Sequence, residues 1–110
     1  MTNSRQKGKR GERYFANKLK DIFPDIRRNA GTQSQSGGVD LENTGCFNIE
    51  CKIGKLPLTN EKFLDQANSE GDQENYSVVL CKRDRCDPYV MMRFDDFKQI
   101  LDVMRAEGII

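Results

Sequence analysis

The chain has 110 residues, enough for one domain with a real core and too few for two. It is 36% hydrophobic and 32% charged, and no apolar run approaches the roughly 20 residues of a membrane-spanning helix. With no histidine anywhere, imidazole general bases, Ser-His-Asp triads and most catalytic zinc sites are excluded.

The net charge of +1 conceals an asymmetry. Residues 1–28 carry nine basic side chains against three acidic ones, and the rest of the chain carries nine against fourteen. Basic charge gathered at one end can serve as a phosphate-contacting surface, or simply as a solvated helix face. No apolar segment of signal-peptide type follows the basic start, so a cytoplasmic address is expected.

Residues 1–6 are expected to be disordered. From Lys7 to Phe23 the spacing predicts a helix, with Phe15, Ala16, Leu19, Ile22 and Phe23 on one face and Pro24 as its stop. Glu12 falls on the meridian of that apolar stripe, where a carboxylate must be paired, metal-linked or at the edge. It can equally be an exposed first-turn residue favoured by the helix dipole.

A short strand is expected over Asp25–Asn29, followed by a polar, Gly-rich loop, Ala30–Gly38. A hairpin comes next, with strands Val39–Glu42 and Cys46–Ile53 around Asn43-Thr44-Gly45. With a three-residue turn Glu42 faces Cys46, and Asp40 lies diagonally from Glu50. The second strand then presents Phe47, Ile49, Cys51 and Ile53 on one face and Asn48, Glu50 and Lys52 on the other.

Pro57 lies in a connector, and Thr59 or Asn60 can cap a helix reaching about Gly71. Phe63, Leu64 and Ala67 form its buried side, with Gln66 beside them. Tyr76–Lys82 reads as a buried strand, Tyr89–Phe94 as another, and Asp95 or Asp96 as the cap of a last amphipathic helix. The order α-β-β-β-α-β-β-α predicts an α/β domain, a central mixed sheet flanked by helices.

Two carboxylates converging beside a lysine are unfavourable without a cation, and oxygen ligands suit Mg²⁺ or Mn²⁺. Such an ion suits phosphodiester hydrolysis, with Lys52 orienting water or stabilising charge on the phosphate. Spacing alone leaves a bland alternative, in which Glu50 and Lys52 merely pair on a solvated face. The four cysteines, Cys46-x4-Cys51 and Cys81-x4-Cys86, are read as buried or idle thiols. A four-thiolate zinc site is the alternative, disfavoured because Cys46 and Cys51 point to opposite faces of an extended strand.

The run GGVDL, then FNIECK about ten residues later, resembles the PD-(D/E)xK nuclease superfamily. The likeness is greatest to the small Holliday junction resolvases of archaea and the resolvase-like proteins of bacteriophages. It extends from KGKRGERYFANKLK through the G-T-x-S-x-S-G-G loop, the FLDQANSE helix and the VVLCKR strand to YVMMRFDDFKQIL.

The resemblance implies a restriction-endonuclease-like fold across 1–110 and a Mg²⁺-dependent DNA endonuclease acting on four-way junctions. Asp40, Glu50 and the Cys51 carbonyl would bind the metal, Lys52 would be the catalytic lysine, and Glu12 and Gln66 would support the site. Ser34 and Ser36, in the loop before the aspartate, would contact DNA or take part in catalysis, and Lys7, Lys9, Arg10, Arg13, Arg27 and Arg28 would contact phosphates. Two coordinated cuts from a one-site domain imply a homodimer. Val39 stands where the superfamily has its proline, which shapes backbone and carries no chemistry. The alternatives are another nuclease of this fold, such as a nickase, repair or restriction-type enzyme, or a non-catalytic DNA-binding or zinc-binding module.

Overall fold

The structure, a computed structural model, describes residues 4–29, 39–54 and 61–110, with side chains in the first helix from Gly8 onward. The elements in chain order are α1 (Ser4–Leu19), β1 (Arg27–Arg28), β2 (Leu41–Glu42), β3 (Phe47–Ile53), α2 (Lys62–Glu70), β4 (Tyr76–Lys82), β5 (Tyr89–Met92) and α3 (Phe94–Ala106). The five strands form one mixed sheet in the order β1-β2-β3-β4-β5. Only β3 and β4 run parallel, and α2 is the crossover that parallel pairing requires.

Alternation along the central strands divides the core into two layers. Ile49, Cys51, Val78, Leu80 and Met92 point to the α1 side, where they meet Phe15, Ala16 and Leu41. Val79, Cys81, Tyr89 and Met91 point the other way, against Phe63 and Leu64 of α2. β4 is buried on both faces, which suits its run of β-branched and aliphatic residues.

Several boundaries depart from expectation. α1 begins at Ser4, so residues 4–6, expected to be irregular, form its first turn; no breaker separates them from Lys7. It ends at Leu19, and turns fill the gap before Pro24, with Ile22 N and Phe23 N both bonded to Leu19 O. The restriction that Pro24 places on Phe23 is felt upstream. α3 begins at Phe94, with extended Arg93 at its N-cap. Asp95 and Asp96 therefore lie in the first turn, where the helix dipole favours them, instead of capping. The expected caps Thr59 and Asn60 lie outside the described residues.

None of the α3 residues is buried, and Phe94 and Phe97 are exposed. Among the described residues no helix is long and apolar enough to cross a membrane.

Candidate metal and phosphate site

β3 carries the site because its period of two turns Asn48, Glu50 and Lys52 toward α2 and leaves the apolar set to α1. The hairpin register is two residues from the expected one. Leu41 stands opposite Ile49, where a three-residue turn would have placed it opposite Phe47. The longer connection, with Asn43 and Gly45 both at positive φ, accounts for the shift. An even shift preserves parity, so Asp40 stays on the side of Glu50 and moves from a diagonal to a direct approach.

Asp40 ends at the edge of β3. Its amide donates to Ile49 O at 3.1 Å, and its Oδ2 accepts from the Cys51 amide at 2.8 Å. An amide and a carbonyl of one strand residue leave on the same edge, so the Cys51 carbonyl emerges beside Asp40.

Glu50 is 1% exposed, and among the described residues its Oε1 has no hydrogen-bond partner. Burial, then the charge of Asp40, then the hydrogen bond and charge of Glu70 push its carboxyl up to about 10. Burial among these carboxylates thus favours the protonated form of Glu50.

α2 lies over this strand and supplies Phe63, Gln66 and Glu70 at helical spacing. Lys52 Nζ donates to Gln66 Oε1 at 3.1 Å and sits 4.5 Å from the centre of the Phe63 ring. Gln66 Nε2 donates in turn to Glu70 Oε1 at 3.3 Å. Glu70 was not expected from the sequence; its signal is its place one helical turn beyond Gln66.

Asn48, on the same strand face, serves the fold. It donates to Asp72 O at 2.7 Å and accepts from Asp72 N and Asn75 Nδ2. Gly71 leaves the room this requires, since a Cβ there would overlap the Asn48 amide.

Glu12 reaches the site from α1. Gly11 lets that helix press onto β3, because a Cβ at Gly11 would overlap the Ile53 side chain. Arg28 Nε donates to Glu12 Oε1 at 2.9 Å, with both side chains largely buried. Burial and the charge of Asp40 raise the Glu12 carboxyl, while Arg28 and Lys9 oppose the rise. Of the two openings left by the sequence, the paired one is realised.

The structure thus brings together Glu12, Asp40, Glu50, Lys52 and Gln66. Of the basic residues, Lys9, Arg10 and Arg13 are exposed on α1, Arg27 pairs across the strands with Glu42, and Arg28 is engaged by Glu12. Ser34, Ser36 and the Lys7 side chain lie outside the described residues.

The cysteines do not converge. Cys51 and Cys81 are buried on opposite faces of the sheet, and Cys46 and Cys86 are exposed. Burial first, then nearby Asp40, pushes the Cys51 thiol well up, which opposes thiolate chemistry. Among the described residues no three His, Cys, Asp or Glu side chains form a ready ligand cluster. The orphaned Glu50 oxygen beside Asp40 nevertheless fits a divalent cation, which would satisfy it and relieve the crowding of carboxylates. Comparison with protein-family models, curated proteins and solved structures returns no match.

Proposed function

We propose that the chain is a Mg²⁺-dependent DNA endonuclease of the PD-(D/E)xK type, acting on branched DNA such as a four-way junction. The observation that carries this reading is Glu50, buried beside Asp40 with its Oε1 lacking a hydrogen-bond partner among the described residues. A carboxyl buried beside a second carboxylate either keeps its proton or is completed by a cation, and the cation is what would let Glu50 ionise. The antiparallel β1–β2–β3 segment joined to a parallel β3–α2–β4 unit supports a restriction-endonuclease-like arrangement.

Asp40, Glu50 and the Cys51 carbonyl would hold the ion, and Mn²⁺ would substitute for Mg²⁺. When bound, such an ion polarises a phosphoryl oxygen and makes a coordinated water more acidic. Lys52 places a positive charge where the attacked phosphate gains negative charge. Phe63 and Gln66 hold that ammonium, so little reorganisation is needed as charge develops. Glu12, restrained by Arg28, adds a carboxylate from the α1 side to the ion's surroundings. Lys9, Arg10 and Arg13 offer phosphate contacts along α1 without reading bases.

Two cuts across a junction need two copies of this site. Among the described residues none of α3 is buried: on the face formed by Phe97, Ile100, Leu101 and Met104, Phe97 is exposed and the other three are half-buried, and a second copy of the chain would cover it. At about 3.6 residues per turn, Asp96 and Glu107 flank one edge of that face and Lys98 and Arg105 the other. Two parallel copies of α3 would set the acidic edge of one against the basic edge of the other.

The test is cleavage of a labelled four-way junction, a linear duplex and a single strand, with Mg²⁺ and with EDTA. Symmetric, metal-dependent cuts in the junction support resolution, and equal cutting of linear duplex supports a general nuclease of the same type. Tight DNA binding without cleavage of any substrate would overturn the enzymatic reading.

A further inference from the structure

The acidic face of α2 adds a residue that the proposed chemistry does not yet use. Gln66 offers two unlike ends, and only its oxygen can accept from the Lys52 ammonium. Which end faces Lys52 depends on what holds the other. Glu70, one turn along α2, accepts from the Gln66 amide nitrogen and so fixes the oxygen toward Lys52. Its carboxylate also shares a hydrogen bond with the buried Glu50 carboxyl.

We infer that Glu70 is a positioning residue, acting through Gln66 to hold the Lys52 ammonium over the site. Without Glu70 the amide is free to rotate its NH₂ end toward Lys52, which presents a donor to a donor. The ammonium then leaves its seat, keeping at most the Phe63 ring as a restraint. This role rests on the phosphodiesterase reading for its effect on rate, but the brace itself can be observed without activity.

The experiment compares Glu70→Ala, Glu70→Gln, Gln66→Ala and the double variant Gln66→Ala/Glu70→Ala. Glutamine at 70 retains a carbonyl oxygen for the Gln66 amide, whereas alanine retains none. Glu70→Ala is expected to lower kcat about tenfold at saturating Mg²⁺ and DNA, with KM for DNA unchanged. Glu70→Gln is expected to restore most of that loss. In the Gln66→Ala background, removing Glu70 is expected to have no further effect on kcat, because residues acting in series are not additive.

The Gln66 side-chain amide, observed by ¹⁵N NMR in the metal-free protein, provides the readout independent of catalysis. Its two protons are expected to be protected from exchange in the wild type and in Glu70→Gln, and unprotected in Glu70→Ala. Equal losses from Glu70→Ala in both backgrounds, or an amide indifferent to Glu70→Ala, would overturn the proposal. If the wild type cleaves nothing while the NMR contrast holds, the brace stands and the reaction assigned to the site falls.

Discussion

Arg28 and Glu12 lie sixteen residues apart and meet at 2.9 Å, both largely shielded from water. The contact ties β1 to α1 at the point where α1 approaches the Asp40 end of the hairpin. Removing the guanidinium leaves a half-buried carboxylate beside Asp40, with Lys9 the remaining opposing charge among the described residues. Arg28→Met is expected to cost about 2 kcal/mol of stability at neutral pH, read by urea denaturation. Glu12→Gln combined with Arg28→Met is expected to recover part of that loss, since no charge is then left unpaired.

Lys52 and Glu50 are the residues on which cleavage is expected to depend. Lys52→Ala and Glu50→Ala should each lower the cleavage rate by at least about a thousandfold, on the scale of losing a charge-stabilising group from an enclosed site. DNA affinity, measured in EDTA by gel shift, is expected to change less than about threefold, because exposed Lys9, Arg10 and Arg13 remain. Loss of binding in both variants would identify the pair as structural.

The raised Glu50 carboxyl makes the metal-free fold pH-dependent. In the unfolded chain Glu50 titrates near its ordinary 4.5, and in the folded protein at about 10. Between those values the folded state holds a proton that the unfolded state has lost, so stability falls as pH rises. The slope from this group is at most about 1.4 kcal/mol per pH unit. Thermal melts in EDTA are therefore expected to drop between pH 6 and pH 9. Glu50→Gln, which keeps the shape and cannot ionise, should flatten the trend, and so should excess Mg²⁺.

Two glycines of α1 offer a contrast. A Cβ at Gly8 meets open space, so Gly8→Ala should gain up to about 1 kcal/mol from helix propensity. At Gly11 the same gain is opposed by overlap with the Ile53 side chain, a cost of about 1–3 kcal/mol. Gly11→Ala is expected to lower the melting temperature and Gly8→Ala to raise it. Because Gly11 sets how near Glu12 comes to β3, its variant should also slow cleavage.

Light scattering checks the proposed pairing of chains through α3. The wild type is expected to elute at twice the chain mass, and Leu101→Glu at the single-chain mass with its circular dichroism spectrum retained. A wild type that is monomeric at all concentrations would remove α3 as the pairing surface.

Part of this arrangement was legible in the residues alone. The alternation FNIECKI determines which side chains share a face, and an even register shift cannot disturb that. The β4 run YSVVLCK is apolar on both sides and reads as buried under either assignment of neighbours. The register itself was not legible, because it depends on how many residues the turn around positive-φ Asn43 and Gly45 absorbs. Nor was the Arg28–Glu12 pair, which exists only once β1 packs beside α1. Glu70 is hidden for a different reason: the periodicity of α2 marks its apolar face, and nothing in that pattern singles out the polar line Gln66–Glu70.

β1 and β2 are two residues long, while β3 and β4 pair over seven. The acids of the site therefore belong to parts of unequal persistence. Glu50 is carried by the β3–α2–β4 unit, whose opening amounts to unfolding the protein. Asp40 hangs from a flank held by fewer strand pairs, although Leu41 anchors it in the core, and local opening is expected to reach it before β3. Amide exchange should show this as early labelling of residues 39–42 against late labelling of 48–52. Transient separation of Asp40 from Glu50 would give the ion and the cut strand of the proposed reaction a way out without any moving domain.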